Sequence, residues 1–304
     1  MEKAIINIDS RLRDKSRYPN ESKFVYDLNN NYKNIVSLTV SSFEFPNTSY
    51  VFSSTKGNNT FTIQYSGSEY IFTIDDGNYI AEKVIEEINA YLTTNLSSLA
   101  LTLNKNTGRI TFTSSGSDFT LLFPTIANYE SFGSLLGFKN TTYTSTSLSL
   151  TSEKMINVIG EHYYFLKLND FGNIYHNGKI FMCKLVMTAQ KFELMYEDNT
   201  YYVSKELQFN QPVDLSKLDI EIVDYNGNTL DQNGVDLSFS IEIKMINNVL
   251  LKKYKELSFN SPEFTKQLVY DKLLTYLNDE LKNRGIESNS LYDSVYKKML
   301  KEKY

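Results

Sequence analysis

Strict alternation of apolar and polar residues predicts β-strands in both halves of the chain. Ile220–Asp224 and Leu237–Met245 alternate throughout, which places one side of each strand on a core and the other toward water. The residues between them contain Asn-Gly twice, a pair that supplies the positive-φ positions of tight turns. Further strands are predicted at Lys23–Leu28, Ile35–Phe45, Tyr163–Leu168 and Ile180–Met187. The pattern therefore indicates a mainly β protein.

The pattern changes from about residue 58. Two short strands, Phe61–Tyr65 and Tyr70–Ile74, precede a segment in which apolar residues recur at helical spacing, Tyr79–Leu92. A hairpin follows, with strands at Leu99–Leu103 and Arg109–Thr113. The order β-β-α-β-β predicts a small α+β unit. Nine of the twelve residues at Thr141–Ser152 are Ser or Thr, and we interpret this stretch as a solvated connector at the end of the unit.

The last part of the sequence is predicted to be helical. Ser261-Pro262-Glu263 is a helix start, because Ser can cap a free N–H and Pro is tolerated at the first helical position. One apolar stripe follows, formed by Phe264, Leu268, Leu273, Leu277 and Leu281. A second amphipathic helix is predicted at Ser290–Lys303. We expect the stripe to be a docking surface, either for the chain's own β domain or for a partner protein, with the partner favoured.

Composition excludes several classes of protein. Of the 304 residues 41% are hydrophobic and 22% charged, which is typical of a folded chain. The formal net charge of −5 argues against a nucleic-acid binder that contacts many phosphates. Aromatic residues make up 14% without any Trp, a bias toward sheet. No apolar run has the length of a signal peptide or a membrane span, so neither secretion by that route nor membrane contact is expected.

Residues suited to catalysis or metal binding are scarce. His162 and His176 lie in no zinc-binding spacing, and Cys183, the one cysteine, sits in an apolar run where a thiol is usually a small buried hydrophobe. It can form no intrachain disulfide, which favours a reducing compartment. Gly133–Gly137 and Asp224–Thr229 fit turns better than a nucleophile elbow or a calcium loop. We therefore predict no catalytic residue, no metal, no cofactor and no small-molecule substrate.

One basic cluster lies near the start of the chain. It consists of Arg11, Arg13, Lys15 and Arg17, with Asp9 and Asp14 interspersed. Because the acidic residues dilute its charge, we interpret it as a solvated loop.

Several segments together carry a family resemblance. They are Ile8–Asp14, Tyr18-Pro19-Asn20, Tyr32–Leu38, Glu44–Thr48, Asp76–Tyr79, Asn106–Phe112, Leu136-Gly137-Phe138 and the closing stretch from Leu218 to Ile243. In this order they resemble the penton and minor capsid proteins of nucleocytoplasmic large DNA viruses and their relatives. The resemblance spans about residues 4–246; it departs at Leu12, where such proteins often have a second Asp, and it does not reach the tail.

The resemblance implies a fold and a role. The fold is a single jelly-roll β-sandwich, residues 1–57 plus 150–250, interrupted by an insertion domain at 58–149 and followed by a helical tail at 251–304. The role is that of a non-enzymatic virion protein, made in the host cytoplasm, which assembles as a homopentameric penton and contacts the major and other minor capsid proteins. The nearest alternative within the family is an inner minor capsid, or cement, protein.

Two readings from other classes stay open at this point. A carbohydrate-binding β-sandwich is also rich in aromatic residues, although lectin sites usually expose Trp or hold calcium. A glycosidase on a β scaffold needs only two suitably spaced carboxylates, which 36 acidic residues can always supply.

Overall fold

The computed structural model describes residues 2–198 and 206–246, together with Thr275. Its strands are β1 (Glu2–Asp9), β2 (Lys23–Pro46), β3 (Thr60–Tyr65), β4 (Ser68–Thr73), β5 (Leu99–Leu103), β6 (Ile110–Ser114), β7 (Phe119–Leu122), β8 (Thr142–Thr144), β9 (Ser149–Thr151), β10 (Tyr163–Leu168), β11 (Ile174–His176), β12 (Lys179–Phe181), β13 (Cys183–Val186), β14 (Leu194–Glu197), β15 (Leu207–Val223) and β16 (Ser238–Met245). Its α-helices are α1 (Ala81–Asn95) and α2 (Phe132–Leu135).

The larger of two units is a curled seven-stranded sheet. Its strands follow the order β1-β16-β2-β15-β10-β13, with β14 paired to the far end of β2, and every pairing is antiparallel. Its core is formed by the inward residues of these strands, among them Phe24, Phe43 and Phe239, which are at most 1% exposed. The mainly β, jelly-roll-like fold class is thus confirmed.

Strand β2 is longer than the sequence pattern predicts. The two predicted strands at Lys23–Leu28 and Ile35–Phe45 are one strand of 24 residues, because the polar stretch between them stays paired with β15. Asn29 and Asn34 adopt φ of 56° and 57° within it, which asparagine tolerates better than most residues. The facing strand carries Pro212, which has no N–H to donate, and the pairing shifts register between Gln208 and Val213.

The smaller unit has a core of its own. Two short sheets, β4-β3-β7-β8 and β5-β6-β9, are accompanied by helix α1, whose buried residues are Val84, Ile85, Ile88 and Leu92. Phe61 lies at the centre of an aromatic cluster, with ring centroids 5.0 to 6.4 Å from those of Phe72, Phe112, Phe123 and Phe132. The core draws residues from Val51 to Ile156, a few positions beyond the predicted boundaries at each end.

The prediction that Thr141–Ser152 is a solvated connector is wrong. This stretch contains β8 and β9, which pair with β7 and β6 and complete the two small sheets. Their hydroxyls face one another across the strands, as between Thr111 and Thr151 at 2.9 Å. Threonine is a good strand former, and edge strands can be mostly polar because only part of their surface is buried.

The predicted helical tail lies outside the described residues, apart from Thr275, which is helical and exposed. The five expected docking residues, Phe264, Leu268, Leu273, Leu277 and Leu281, therefore stay a prediction. Within the described ranges, no helix is long and apolar enough to cross a membrane.

Candidate functional site

The chain crosses between the two cores at neighbouring points. A Cβ placed on Gly160, on the returning segment, would lie 3.0 Å from Cγ2 of Val51, on the outgoing segment. The outgoing segment is bound to the smaller unit through Phe52 and Gly77, whose backbones exchange hydrogen bonds of 3.1 and 2.9 Å. This junction is therefore a place where both units contribute side chains to one cleft.

Two lysines and a carboxyl line the cleft. Lys191 Nζ donates to the Ser49 carbonyl at 3.0 Å, and Lys56 Nζ donates to the Tyr50 carbonyl and lies 5.9 Å from the centroid of the Tyr129 ring. Glu161, on the returning segment, borders the same cleft. A cavity of about 240 Å³ opens beside them and is also lined by Asp224, Asp231 and Asn233.

Burial changes the proton affinity of these groups. It raises the pKa of Glu161 to about 7, and the negative charges of the nearby Asp224 and Glu130 carboxylates act in the same direction. It lowers the pKa of Lys191 to about 8, with a further decrease from the charge of Lys56. A carboxyl that titrates near neutrality in a cleft is a recognised mark of a functional site. Glu161, Lys56 and Lys191 could not be predicted as site residues from the sequence, since all three lie in loops without a periodic pattern.

One carboxylate of the cleft, that of Asp224, is engaged within its own loop. Asp224 is buried, and its oxygens accept from the backbone N–H groups of Asn226 and Asn228, both at 2.9 Å, and from Asn228 Nδ2 at 2.7 Å. These contacts hold the turn that the sequence predicts at Asp224–Thr229. Asp224 is thus occupied in fixing its loop, whereas a glycosidase requires both carboxylates to face the substrate.

The two histidines and the cysteine lie in three different surroundings. His176 Nε2 is 2.7 Å from the Tyr225 carbonyl, and its ring centroid is 4.9 Å from that of Phe165. Cys183 is buried in the larger core, and burial raises the pKa of its thiol to about 12, so the prediction of a small buried hydrophobe is confirmed. His162 is exposed. Among the described residues no group of His, Cys, Asp or Glu is arranged to hold a metal ion.

The turn at Gly133–Gly137 is a packed structural element, as predicted. Its serine, Ser134, lies in α2, and a Cβ on Gly133 would meet the Phe123 ring at 2.4 Å. Gly137 has φ of 93°, and a Cβ there would meet the Lys154 carbonyl oxygen at 2.3 Å. Both glycines are required by close approach of neighbouring groups.

The interpretation of the basic cluster as a solvated loop is wrong for Arg13. Its side chain is 4% exposed and forms an ion pair with Asp236. Its Nε donates to the Tyr18 carbonyl at 3.0 Å, and Nη1 and Nη2 donate to the carbonyls of Ser10 and Pro19. The guanidinium has several donors in a fixed plane, so it can hold the loop and the start of β16 at once.

Three exposed apolar side chains follow one another at alternate positions at the start of β14. Phe192, Leu194 and Tyr196 alternate along β14 and the residue pair before it, and each is more than 60% exposed. Met195, between them, is buried in the larger core opposite Phe45. Single exposed apolar residues are ordinary on protein surfaces, and large contiguous apolar patches are the ones that mark interaction surfaces.

Comparison with known proteins finds a distant likeness among solved structures. No protein-family model matches the sequence, and no curated protein matches it. Among solved structures, the chain is similar to the selenomethionine-labelled mavirus penton protein, with 12% identity and a TM-score of 0.40, over 81% of this chain and 100% of that one.

Proposed function

We propose that this chain is a structural protein of a viral capsid that acts by assembly. The observation that supports this proposal most is the position of the residues that carry the family resemblance. Ser10 and Arg13 both contact Asp236, Asn20 Nδ2 donates to the Leu230 carbonyl at 3.1 Å, and Asn47 Nδ2 donates to the Ala189 carbonyl at 2.9 Å.

The second set of resembling residues has the same character. Asn78 Oδ1 accepts from the Val51 N–H at 2.9 Å, and Asp76 Oδ1 accepts from the Ser54 N–H at 2.7 Å. These side chains hold loops and strand ends of the framework. A structural protein family shares an architecture, so the residues that its members have in common are those that hold the framework. The members of an enzyme family would instead share residues that face a substrate.

Within this proposal, the finer role is that of a penton at the icosahedral vertices. It would be a homopentamer in the virion that contacts the major and other minor capsid proteins, without enzymatic activity of its own. An inner minor capsid protein is the near alternative, because the same framework suits either position.

Two measurements test the proposal. Quantitative mass spectrometry of purified particles should find the chain at a fixed ratio to the major capsid protein, and about five copies per vertex are expected of a penton with closed ring symmetry. Native mass spectrometry of the purified chain tests self-association. Absence of the chain from purified particles would overturn the capsid proposal, and a ratio far from five per vertex would favour the inner position.

A further inference from the structure

The cavity beside the junction is framed by side chains whose hydrogen bonds are made within the chain. Asn20 Nδ2 donates to the Leu230 carbonyl at 3.1 Å, and Asn233 Nδ2 donates to the Thr48 carbonyl at 2.6 Å. Asp224, which also lines the cavity, holds its own turn through two backbone N–H groups. These contacts fix the walls, so the cavity is formed before any ligand enters it.

Other polar groups around the same cavity are left without a partner. Glu161 forms no hydrogen bond or ion pair with any described residue. Asp231 uses only Oδ1, which accepts from the Asn233 N–H at 2.8 Å. The hydroxyls of Tyr129 and Thr55 likewise make no hydrogen bond within the part of the chain that the structure describes. A fixed frame that carries a few free polar groups is the usual arrangement of a ligand site.

The free groups face a shared space. Burial raises the pKa of the Tyr129 hydroxyl, and the negative charges of Asp224 and Asp231 act in the same direction, which requires that the three groups lie near one another. Lys56 Nζ lies 5.9 Å from the centroid of the Tyr129 ring and borders the same cavity. The cavity therefore presents carboxylates, a hydroxyl and an ammonium together.

This lining selects the chemistry of the ligand. An anion would meet the carboxylates of Glu161 and Asp231, and a cation would meet the ammonium of Lys56. Carboxylates only accept hydrogen bonds and an ammonium only donates them, whereas a hydroxyl group does both. A neutral ring with several hydroxyl groups therefore satisfies all of these side chains. The volume, about 240 Å³, lies below the roughly 300 to 1,000 Å³ of pockets for drug-sized ligands and suits a single ring.

We propose that this cavity is a binding site for one neutral sugar residue. Glu161 and Asp231 accept hydrogen bonds from its hydroxyl groups, and Lys56 donates to one of them. Asp231, Thr55 and Asn233 are exposed, so the cavity is reached from solvent and the sugar can be the end of a longer glycan. The inference does not depend on the chain's place in a capsid.

Saturation-transfer difference NMR with the full chain tests the site. The probes are the methyl glycosides of glucose, galactose, mannose and N-acetylglucosamine at millimolar concentration, which suits a Kd of about 1 mM. Putrescine and inorganic phosphate serve as the competing cation and anion. At least one glycoside should receive saturation from the protein, and neither charged compound should displace it. No signal from any glycoside, or displacement by putrescine or phosphate, would overturn the proposal.

Matched variants locate the binding. Glu161→Gln and Asp231→Asn should each weaken the glycoside by about tenfold or more, because hydrogen bonds to a charged acceptor are the stronger ones. The control is Asp14→Asn, since Asp14 is exposed and its Oδ1 accepts from the Ser16 N–H two positions on, as Asp231 does from Asn233. All three changes remove one negative charge, and circular dichroism verifies folding. Unchanged binding in either cavity variant, or an equal loss in the control, would contradict the inference.

Discussion

Arg13 and Asp236 are separated by 223 positions in the chain and form an ion pair in which the arginine side chain is 4% exposed. The pair joins the turn after β1 to the start of β16. Ser10 strengthens the same link, because its Oγ donates to Asp236 at 2.7 Å and accepts from the Leu237 N–H at 2.9 Å. The turn after β1 and the start of β16 are thereby held together at one corner of the sheet.

Removal of the carboxylate should destabilise the fold. Asp236→Ala leaves the buried guanidinium of Arg13 without its carboxylate partner. We expect this change to lower the free energy of unfolding by about 2 to 4 kcal/mol. This value is below the range for a fully buried pair because the Asp236 side chain is 20% exposed. The matched control is Lys15→Ala, since Lys15 is 61% exposed and lies 3.6 Å from the same carboxylate. That change should cost under about 1 kcal/mol. Equal losses for both variants in urea unfolding would contradict this account.

Stability should fall as the pH rises toward neutrality because of Glu161. Burial raises the pKa of this carboxyl from 4.5 to about 7, so the folded state binds more protons than the unfolded state between these values. Its stabilising contribution is full below about pH 4.5 and is lost as the pH rises through about 7. Glu161→Gln should flatten this part of the profile and raise the melting temperature above neutral pH.

Glu153→Gln is the control for the pH profile. Glu153 accepts a hydrogen bond from the Tyr143 hydroxyl at 2.6 Å. Its pKa is lowered: burial alone would raise it, but the hydrogen bonds outweigh that effect. Its contribution is therefore lost as the pH falls, the opposite sign to that of Glu161. A melting profile of Glu161→Gln that parallels the parent chain would show that Glu161 does not govern the pH dependence.

Helix α1 and most strands could be predicted from the sequence, because their apolar residues follow the periods of an amphipathic helix or a half-buried strand. Strands β8 and β9 could not, since their Ser and Thr residues show no apolar alternation and their pairing depends on β6 and β7. Arg13 was predicted to lie in solvent because the order of charges along the chain does not show that the fold brings Asp236 next to it. Glu161 was missed for the same reason: its proton affinity depends on groups distant in sequence.

Removal of the smaller unit should leave a folded sheet. Because the second core reaches from Val51 to Ile156, we expect a cut at 58–149 to expose Phe52 and its neighbours. Replacement of 51–158 by a short Gly/Ser linker removes that core entirely, and the proximity of Val51 to Gly160 permits a short connection. The shortened chain should unfold cooperatively, with a β-type circular dichroism spectrum. Loss of that spectrum would show that the two units fold only together.

The tail prediction is tested with charged substitutions. If the stripe contacts a neighbouring capsid protein, the double variant Leu273→Asp with Leu277→Asp should keep the melting temperature of the isolated chain but lose incorporation into particles. Thr275→Asp is the control, because it introduces the charge at an exposed position between these two leucines. A lowered melting temperature of the double variant would instead indicate packing on the chain's own domain. Normal incorporation would contradict partner docking.

The pairing of β1 with β16 also bears on how the chain folds during synthesis. β1 is an edge strand whose one neighbour in the described sheet is formed by residues 238–245. At a translation rate of about 5 to 20 residues per second, β1 emerges about 10 to 50 s before that neighbour does. Among the described residues, the smaller core and the side chains packed against it end at Val158, so this core can form during the interval. The nascent chain can therefore hold a folded smaller unit while β1 still lacks its neighbour, and β1 can take its place in the large sheet only after residues 238–245 have emerged.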